Sequence, residues 1–336
     1  MEKLISKNEK IFIAGSTGMA GSAIKKQLIK NNYGNIQHGG VILSPNRKEL
    51  DLFDTESVKN WFSINNPSVV ILAAAKVGGI KANSSYGADF LLENLKIQNN
   101  VIEAAWRNSV KRLIFLGSSC IYPRNCDQPI KEEFLLNSHL EQTNEAYAVA
   151  KIAGLKLCEH LNIQYGFDAI SLMPTNLYGP GDNYHPENSH VVASLIRRFL
   201  EAKNCNYESI TCWGTGNVWR EFLHSDDLGS AVVFALENWD PKSIDAPKDN
   251  EGKPLYFLNV GTGKDITIKN LSELISELVG FQGITKWDTS KPDGTPKKQL
   301  DISKISKLGW EPTISLKQGL KRTIKELTNE KLFKNL

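Results

Sequence analysis

The chain has 336 residues, of which 41% are hydrophobic and 23% are charged, so it can form both a packed core and a hydrated surface. This composition excludes a disordered chain, a collagen-like repeat and a small disulfide-stapled protein. The formal net charge is only +3 and the basic residues are scattered, which argues against a nucleic-acid or membrane-binding surface. The longest purely apolar run, residues 69–75, is far shorter than the ~20 residues that a membrane-spanning helix needs.

The five cysteines are odd in number and none belongs to a C-x-x-C motif, so they predict reduced thiols in the cytoplasm. Residues 1–10 are charged and contain no apolar segment, so we expect no secretory signal. His185 and His190 are close in sequence, but neither a cysteine nor a third histidine stands near them at the spacing of zinc ligands. We therefore expect no metal site.

Short apolar runs alternate with helical patterns in the first half of the chain. The runs are typical of buried strands and comprise residues 10–14, 41–43, 69–72, 113–116 and 168–173. The helical patterns begin near Met19 and then cover residues 56–62, 91–108 and 145–164. Strands that alternate with helices predict βαβ units and a parallel sheet.

The alternation ends after Pro174, where Pro and Gly cluster in residues 178–186 and predict a long loop. Later elements are predicted at residues 191–202, 210–213, 257–260, 268–279 and 316–327, with another helix from about Asp226 and an exposed excursion at 240–254. We predict an α/β fold with a doubly wound parallel sheet and a smaller α/β C-terminal substrate domain. The first unit covers residues 1–175 with returns near 221–238 and 256–262, and residues 176–336 mainly form the second.

A glycine-rich loop joins the first predicted strand to the first predicted helix. It consists of Gly15, Ser16, Thr17, Gly18, Met19, Ala20 and Gly21. Glycine permits a tight turn and a close approach of the backbone to a pyrophosphate, and the helix N-terminus offers free N–H groups to the anion. In this strand-to-helix context the loop predicts a Rossmann-type dinucleotide site rather than a simple turn. The second strand is followed by Arg47 and by no acidic residue at its tip, which favours NADP over NAD, although Arg47 also suits a hydrated loop.

Tyr147 and Lys151 form a Y-x-x-x-K pair on a predicted helix, where the i,i+4 spacing puts both side chains on one face. The pKa of an ordinary phenol, ~10, is too high for efficient proton transfer at neutral pH, and we expect the ammonium of Lys151 to lower that pKa. Tyr147 could then protonate a carbonyl oxygen as hydride reaches its carbon. Ser118 or Ser119, after the fourth strand, is expected to orient that carbonyl.

Several segments spread over nearly the whole chain resemble the extended short-chain dehydrogenase/reductase family, and within it the enzymes that make GDP-L-fucose. The segments are F-I-A-G-S-T-G-M-A-G-S-A (12–23), L-A-A-A-K-V-G-G-I (72–80), L-G-S-S-C-I-Y-P (116–123), N-E-A-Y-A-V-A-K-I-A-G (144–154), M-P-T-N-L-Y-G-P (173–180), N-S-H-V (188–191), R-E-F-L-H-S-D-D (220–227), N-V-G-T-G (259–263) and S-K-P-D-G-T-P-K-K (290–298). The resemblance implies a two-stage reaction on GDP-4-keto-6-deoxy-D-mannose. Epimerisation at C3 and C5 comes first, and reduction at C4 by NADPH follows.

The resemblance also implies roles for individual residues. Cys120 and His190 are the implied acid/base pair for epimerisation, although a small buried hydrophobe and a hydrogen-bonded loop residue are the alternatives for these positions. Contacts to the cofactor are implied for Leu116, Gly117, Ser119, Lys151, Pro174, Thr175, Asn176, Leu177 and His190, and contacts to the GDP-sugar for Arg198, Trp213, Arg220, Asp293 and Lys298. Some relatives carry an arginine in the glycine loop where this chain has Thr17, so NADP preference depends mainly on Arg47.

Other functions remain open at this point. A nucleotide-sugar 4-epimerase or 4,6-dehydratase has the same fold, but a dehydratase is expected to carry Thr-Asp-Glu where this chain has Ser119-Cys120-Ile121. A non-catalytic NADP-binding regulator is the alternative from another class. We expect a homodimer formed through the helices at 91–108 and 145–164.

Overall fold

The computed structural model describes residues 3–291 and 293–329, and the strands among them are short. In chain order they are β1 (Lys10–Ala14), β2 (Val41–Leu43), β3 (Val69–Leu72), β4 (Arg112–Leu116), β5 (Ala169–Pro174), β6 (Asn176–Tyr178), β7 (Ser209–Trp213), β8 (Trp219–His224), β9 (Phe257–Val260), β10 (Asp265–Thr267), β11 (Ile284–Asp288) and β12 (Lys297–Lys298). Met1, Glu2 and Pro292 lie outside the described residues, so the 1–10 and 290–298 segments are only partly described.

The helices connect these strands. They are α1 (Met19–Lys30), α2 (Thr55–Asn65), α3 (Ile80–Ser85), α4 (Gly87–Arg107), α5 (Glu145–Tyr165), α6 (Val191–Asn204), α7 (Ser225–Asn238), α8 (Ile268–Val279), α9 (Ser303–Leu308) and α10 (Leu316–Asn329). None of the helices in the described part of the chain combines the length and the apolar character needed to cross a bilayer.

The central sheet has six parallel strands in the order β2-β1-β3-β4-β5-β9. The chain leaves β1 in one direction to β2 and returns to β3 on its other side. The α/β prediction with a doubly wound parallel sheet is therefore confirmed. In such sheets ligands bind beyond the carboxyl ends of the strands, where the order reverses, which here is between β1 and β3.

The central strands of the first half of the chain are buried in the main core. Every residue of β3 and β4 is buried, as expected for strands that helices cover on both faces. On α2, Phe62 packs edge-on against Phe12 of β1 with ring centroids 5.6 Å apart. Helices α1 and α7 pack together, as do α4 and α5.

A second group of strands surrounds β8. β8 lies between β10 and β12 and also pairs with β6, while β7 and β11 form a separate parallel pair. These strands sit over their own apolar core, to which α6, α8 and α10 contribute. Strands β6, β8 and β10–β12 were not predicted from the sequence, because they are short and all but β6 carry charged residues such as Arg220 and Lys297. The division of the chain at residue 175 stays a prediction; β9 joins the first sheet and β8 joins the second group.

Replacing Phe62 by Ala is expected to lower the free energy of unfolding by about 3–5 kcal/mol, because the fully buried ring leaves a cavity beside Phe12. Urea denaturation followed by circular dichroism measures the change. Ile64→Ala on the same helix is the control, since Ile64 is 78% exposed and its loss should cost no more than about 0.5 kcal/mol. Equal losses for the two variants would contradict the core described here.

Candidate active site

A cavity of about 1480 Å³ opens at the carboxyl ends of β1, β3, β4 and β5. The glycine loop, Arg47 and the 117–120 segment line one side, and residues from β7, β8 and the 293–298 segment line another. Of the site residues predicted from the sequence, only Leu116 and Lys151 are absent from the lining. The fold therefore brings the predicted site together from segments that are far apart in the chain.

The glycine loop approaches the backbone after β3 so closely that side chains are excluded. Gly15 has φ +84°, and a Cβ atom there would lie 2.7 Å from the Cα atom of Ala74. A Cβ atom at Gly21 would collide with the carbonyl oxygen of Gly15. Helix α1 begins with Gly18 as its cap and has neither a capping side chain nor an acidic residue in its first turn. Its N–H groups and its positive dipole end are therefore free for a diphosphate, so these residues fit a dinucleotide.

Arg47 is exposed at the edge of the cavity near the end of β2. Its guanidinium lies over the ring of Phe53, 5.1 Å from the ring centroid. Thr17 also lines the cavity. A cation at this edge is available to a phosphate on the ribose of a dinucleotide.

Tyr147 and Ser118 both line the cavity, and the Ser118 side chain is close enough to Tyr147 to influence the pKa of its phenol. The Tyr147 ring also packs edge-on against Phe90, with centroids 6.5 Å apart. Burial raises the pKa of Tyr147 above its ordinary value, and the nearby Cys120 adds to this effect while Ser118 opposes it. Tyr147 is therefore a protonated phenol at neutral pH.

Lys151 lies behind the cavity wall, where its Nζ donates to the carbonyl oxygen of Leu116 at 2.9 Å. Burial lowers the pKa of Lys151 from 10.5 to about 7. The expectation that Lys151 lowers the pKa of Tyr147 is wrong for this structure, because desolvation dominates both groups and the Lys151 nitrogen is 5.8 Å from the centroid of the Tyr147 ring.

Cys120 is half-buried in a short helical turn directly after Ser118. Its N–H donates to the Ser118 hydroxyl at 3.2 Å. Its Sγ accepts from Asn144 Nδ2 at 3.3 Å and from Lys298 Nζ at 3.6 Å. The side chain thus faces polar donors at the cavity wall, which does not suit the alternative of a small buried hydrophobe.

His190 stands directly before α6, and its ring lines the cavity. The preceding backbone is fixed against Gly79, where a Cβ atom would lie 2.9 Å from the carbonyl oxygen of Ser189. Desolvation lowers the pKa of His190 from its ordinary value. The residue is nevertheless exposed, so its side chain can meet a ligand in the cavity.

The arginines expected at a diphosphate both line the cavity. Arg198 donates to the carbonyl oxygen of Thr211. Burial lowers the pKa of Arg220, while Glu141 and Asp293 counteract the shift by attracting its charge. Trp213 is 65% exposed, so one face of its ring is available to a planar group.

Asp293 is bonded to the turn after β7, and Lys298 donates to Cys120. The carboxylate of Asp293 accepts from the N–H of Thr215 at 2.7 Å and from its hydroxyl at 2.8 Å, and so fixes this turn.

Asn144 and Glu141 also line the cavity, and neither was predicted from the sequence. Asn144 directly precedes the helix of Tyr147 and Lys151, three residues before Tyr147. This nearness to Tyr147 in sequence could have identified Asn144 as a site residue.

These features define a class of protein that binds a dinucleotide and holds acid/base side chains beside it in the same cavity. A sequence profile of the NAD dependent epimerase/dehydratase family matches residues 11–246, and the chain belongs to this family.

The relatives are more specific than the family. The chain is 51% identical to the probable GDP-L-fucose synthase 1 of Oryza sativa subsp. japonica, over 96% of this chain and 93% of the relative. It is 48% identical to the GDP-L-fucose synthase of Escherichia coli (strain K12), over 94% and 95% of the two chains. Among solved structures, MlghC, a GDP-mannoheptose C4 reductase from Campylobacter jejuni with NADP bound, matches with a TM-score of 0.86 and 38% identity, over 96% of this chain and 99% of that chain.

Replacing Lys151 by Met is expected to stabilise the folded protein at pH 7 by about 2–4 kcal/mol. The Lys151 amine is fully charged and hydrated in the unfolded chain at this pH, and burying it in the folded protein costs free energy that Met does not cost. The folded pKa is about 7 and the reference value is 10.5. Between these two values the unfolded state binds more protons, so the stability of the wild type rises with pH and the gain from Met shrinks. Urea titrations of both proteins at pH 7 and pH 10 test this. A variant less stable than the wild type at pH 7 would contradict the assignment.

Proposed function

We propose that the protein converts GDP-4-keto-6-deoxy-D-mannose into GDP-L-fucose, in the de novo synthesis of this nucleotide sugar. The central observation is that two kinds of proton-transfer group open into one cavity: the Ser118–Tyr147 pair, and Cys120 with His190. Reduction alone needs the first pair only. Inversion of two stereocentres needs further groups, and Cys120 and His190 are suited to it. The names of the relatives from rice and E. coli support this proposal.

NADPH is the proposed cofactor. The glycine loop and the first turn of α1 would hold its diphosphate, and Arg47 would meet a 2′-phosphate. The 174–177 segment and Gly117 would line the nicotinamide end. When bound, the cofactor supplies hydride to C4 of the sugar.

Epimerisation starts from the acidity that the C4 carbonyl gives to the hydrogens on C3 and C5. In our proposal the Cys120 sulfur removes each of these protons, and an enolate forms on the sugar. His190, which stands on a different element, returns a proton to the opposite face. Asn144 Nδ2 and Lys298 Nζ donate to the sulfur and so fix its position at the cavity wall.

Reduction depends on Tyr147. Its raised pKa keeps the phenol protonated at neutral pH, so it donates a proton to the C4 oxygen as hydride reaches C4. The Ser118 hydroxyl, close to Tyr147, orients the same oxygen. Arg198 and Arg220 would bind the diphosphate of GDP, because a guanidinium matches the geometry of phosphate oxygens.

The deciding experiment combines purified protein, GDP-4-keto-6-deoxy-D-mannose and NADPH, with NADH in a parallel reaction. We expect consumption of NADPH, slower consumption of NADH, and GDP-L-fucose as the product identified by NMR. The absence of NADPH consumption would reject the proposal.

A C4 reductase without epimerisation is the second candidate, favoured by the name of the Campylobacter relative. The same assay separates the two functions, because a simple reductase leaves the configuration at C3 and C5 unchanged. A 4-epimerase would instead interconvert the two C4 epimers and retain NAD after purification, a 4,6-dehydratase would generate a 4-keto sugar from a GDP-hexose, and a regulator would turn nothing over.

Cys120→Ser is expected to suppress the uptake of solvent deuterium at C3 and C5 by about 100-fold or more, because a serine hydroxyl is much less acidic than a thiol and supplies no basic anion at neutral pH. Tyr147→Phe is expected to slow NADPH oxidation by a similar factor and to leave deuterium uptake measurable. NMR of the recovered sugar and absorbance at 340 nm report the two steps. Normal deuterium uptake by the Cys120 variant would refute the role of Cys120.

We also propose a homodimer and a cytoplasmic location. Helices α4 and α5 pack side by side and leave Leu92 and Val149 exposed, which suits a four-helix contact with a second copy. All five cysteines are free thiols, in agreement with a reducing compartment. Light scattering should give twice the mass of one chain, and a monomer at all concentrations would refute the dimer.

A further inference from the structure

The sulfur of Cys120 is held by two hydrogen-bond donors from distant parts of the chain. Asn144 Nδ2 lies 3.3 Å from Sγ, and Lys298 Nζ lies 3.6 Å from it. The positive charge of Arg220 is also close enough for Cys120 to attract it. A neutral thiol is a weak hydrogen-bond acceptor, whereas a thiolate is stabilised by donors and cations. This environment therefore suits an anionic sulfur.

The side chain of Asn144 is used in an unusual way. Asn144 is the residue before α5, where asparagine normally caps the helix with its side chain at a gain of ~1 kcal/mol. Here the side chain makes no cap hydrogen bond, and its Oδ1 is buried without a partner among the described residues. The amide instead points its Nδ2 at Cys120. The Asn144 side chain thus contacts the sulfur and makes no capping hydrogen bond, which indicates that its role is at Cys120.

Lys298 and its neighbour Lys297 have different surroundings, as expected for adjacent residues of a strand. Lys297 Nζ pairs with Asp265 at 3.1 Å and lies outside the cavity lining. Lys298 lines the cavity, and its strand is paired with Arg220 of β8. Only one of these two cations therefore reaches the sulfur.

We propose that Asn144 and Lys298 are positioning residues that hold the sulfur of Cys120 as a thiolate directed into the cavity. The proposal deepens the proposed function, in which this sulfur removes protons from C3 and C5. It also places groups for both reactions at the start of α5, because Asn144 directly precedes this helix and Tyr147 lies in its first turn. The competing role for Lys298, a contact to the GDP diphosphate alone, becomes an outcome of the test.

The test measures thiol alkylation and needs no sugar. Iodoacetamide is uncharged, so a lysine does not change its local concentration, and it forms an S–C bond with loss of iodide only from the thiolate. The proteins are the wild type and the variants Asn144→Ala, Asn144→Asp, Lys298→Met, Lys298→Arg and Lys297→Met. Mass spectrometry gives the rate at each cysteine at pH 7. Cys205 is exposed and serves as the internal reference, and Cys158 is buried and reports unfolding.

Alkylation of Cys120 should be slower by about fivefold in Lys298→Met, which corresponds to the loss of one charge at this distance in water. Lys298→Arg should restore most of the rate, and Lys297→Met should match the wild type. Asn144→Ala should also be slower, even though the smaller side chain opens the site to the reagent, and Asn144→Asp should be slowest because a carboxylate faces the sulfur. An unchanged or faster rate in Lys298→Met and Asn144→Ala, or an equal loss in Lys297→Met, would overturn the proposal.

A second measurement ties the effect to one step of catalysis. At saturating sugar nucleotide, Asn144→Ala and Lys298→Met should reduce deuterium uptake at C3 and C5 by about the factor found for alkylation, and by more than they reduce the rate of GDP-L-fucose oxidation by NADP⁺. Loss of that oxidation alone would assign Lys298 to the diphosphate. If no protein turns the sugar over, the proposed function fails while the alkylation rates still decide the state of the sulfur.

Discussion

The hydrogen bond from Lys151 to the carbonyl oxygen of Leu116 holds α5, the helix of Tyr147, against the central sheet. It joins the middle of α5 to the last residue of β4 at 2.9 Å, inside the core. A second contact, from Gln98 to the carbonyl oxygen of Ala150 at 2.6 Å, ties the same helix to α4. Since Ser118 follows β4 and Tyr147 precedes Lys151 by one turn, these contacts fix the distance between the serine and the tyrosine.

The rest of the site is added to this fixed centre from outside the sheet. His190 comes with α6, and Lys298 comes with the last short strand of the second group. Neither segment contributes to the central sheet, yet both reach the cavity at its carboxyl edge. In the proposed function, reduction would depend mainly on the first sheet and its helices, whereas epimerisation would depend on how the later part of the chain packs against them. This arrangement explains how one cavity can support two separable steps.

The central sheet was predictable because its strands are predominantly apolar, and β2, β3 and β9 have the bounds expected from the sequence. The strands around β8 were not predictable in this way. They have two to six residues, they show no regular apolar pattern, and their partners are far away in sequence. Pairing between distant segments, and not local pattern, decides whether such strands form.

The sequence by itself determined the chemical inventory: the glycine loop between strand and helix, the Ser118–Tyr147–Lys151 set, and Cys120 beside it. These signals are local, since each depends on residues within a few positions of one another. The tertiary structure alone decided their ionisation and contacts. Burial raises the pKa of Tyr147 and lowers that of Lys151, and the fold brings Lys298 against Cys120 across most of the chain. Desolvation and charge contact depend on position in space, which no local pattern of residues encodes.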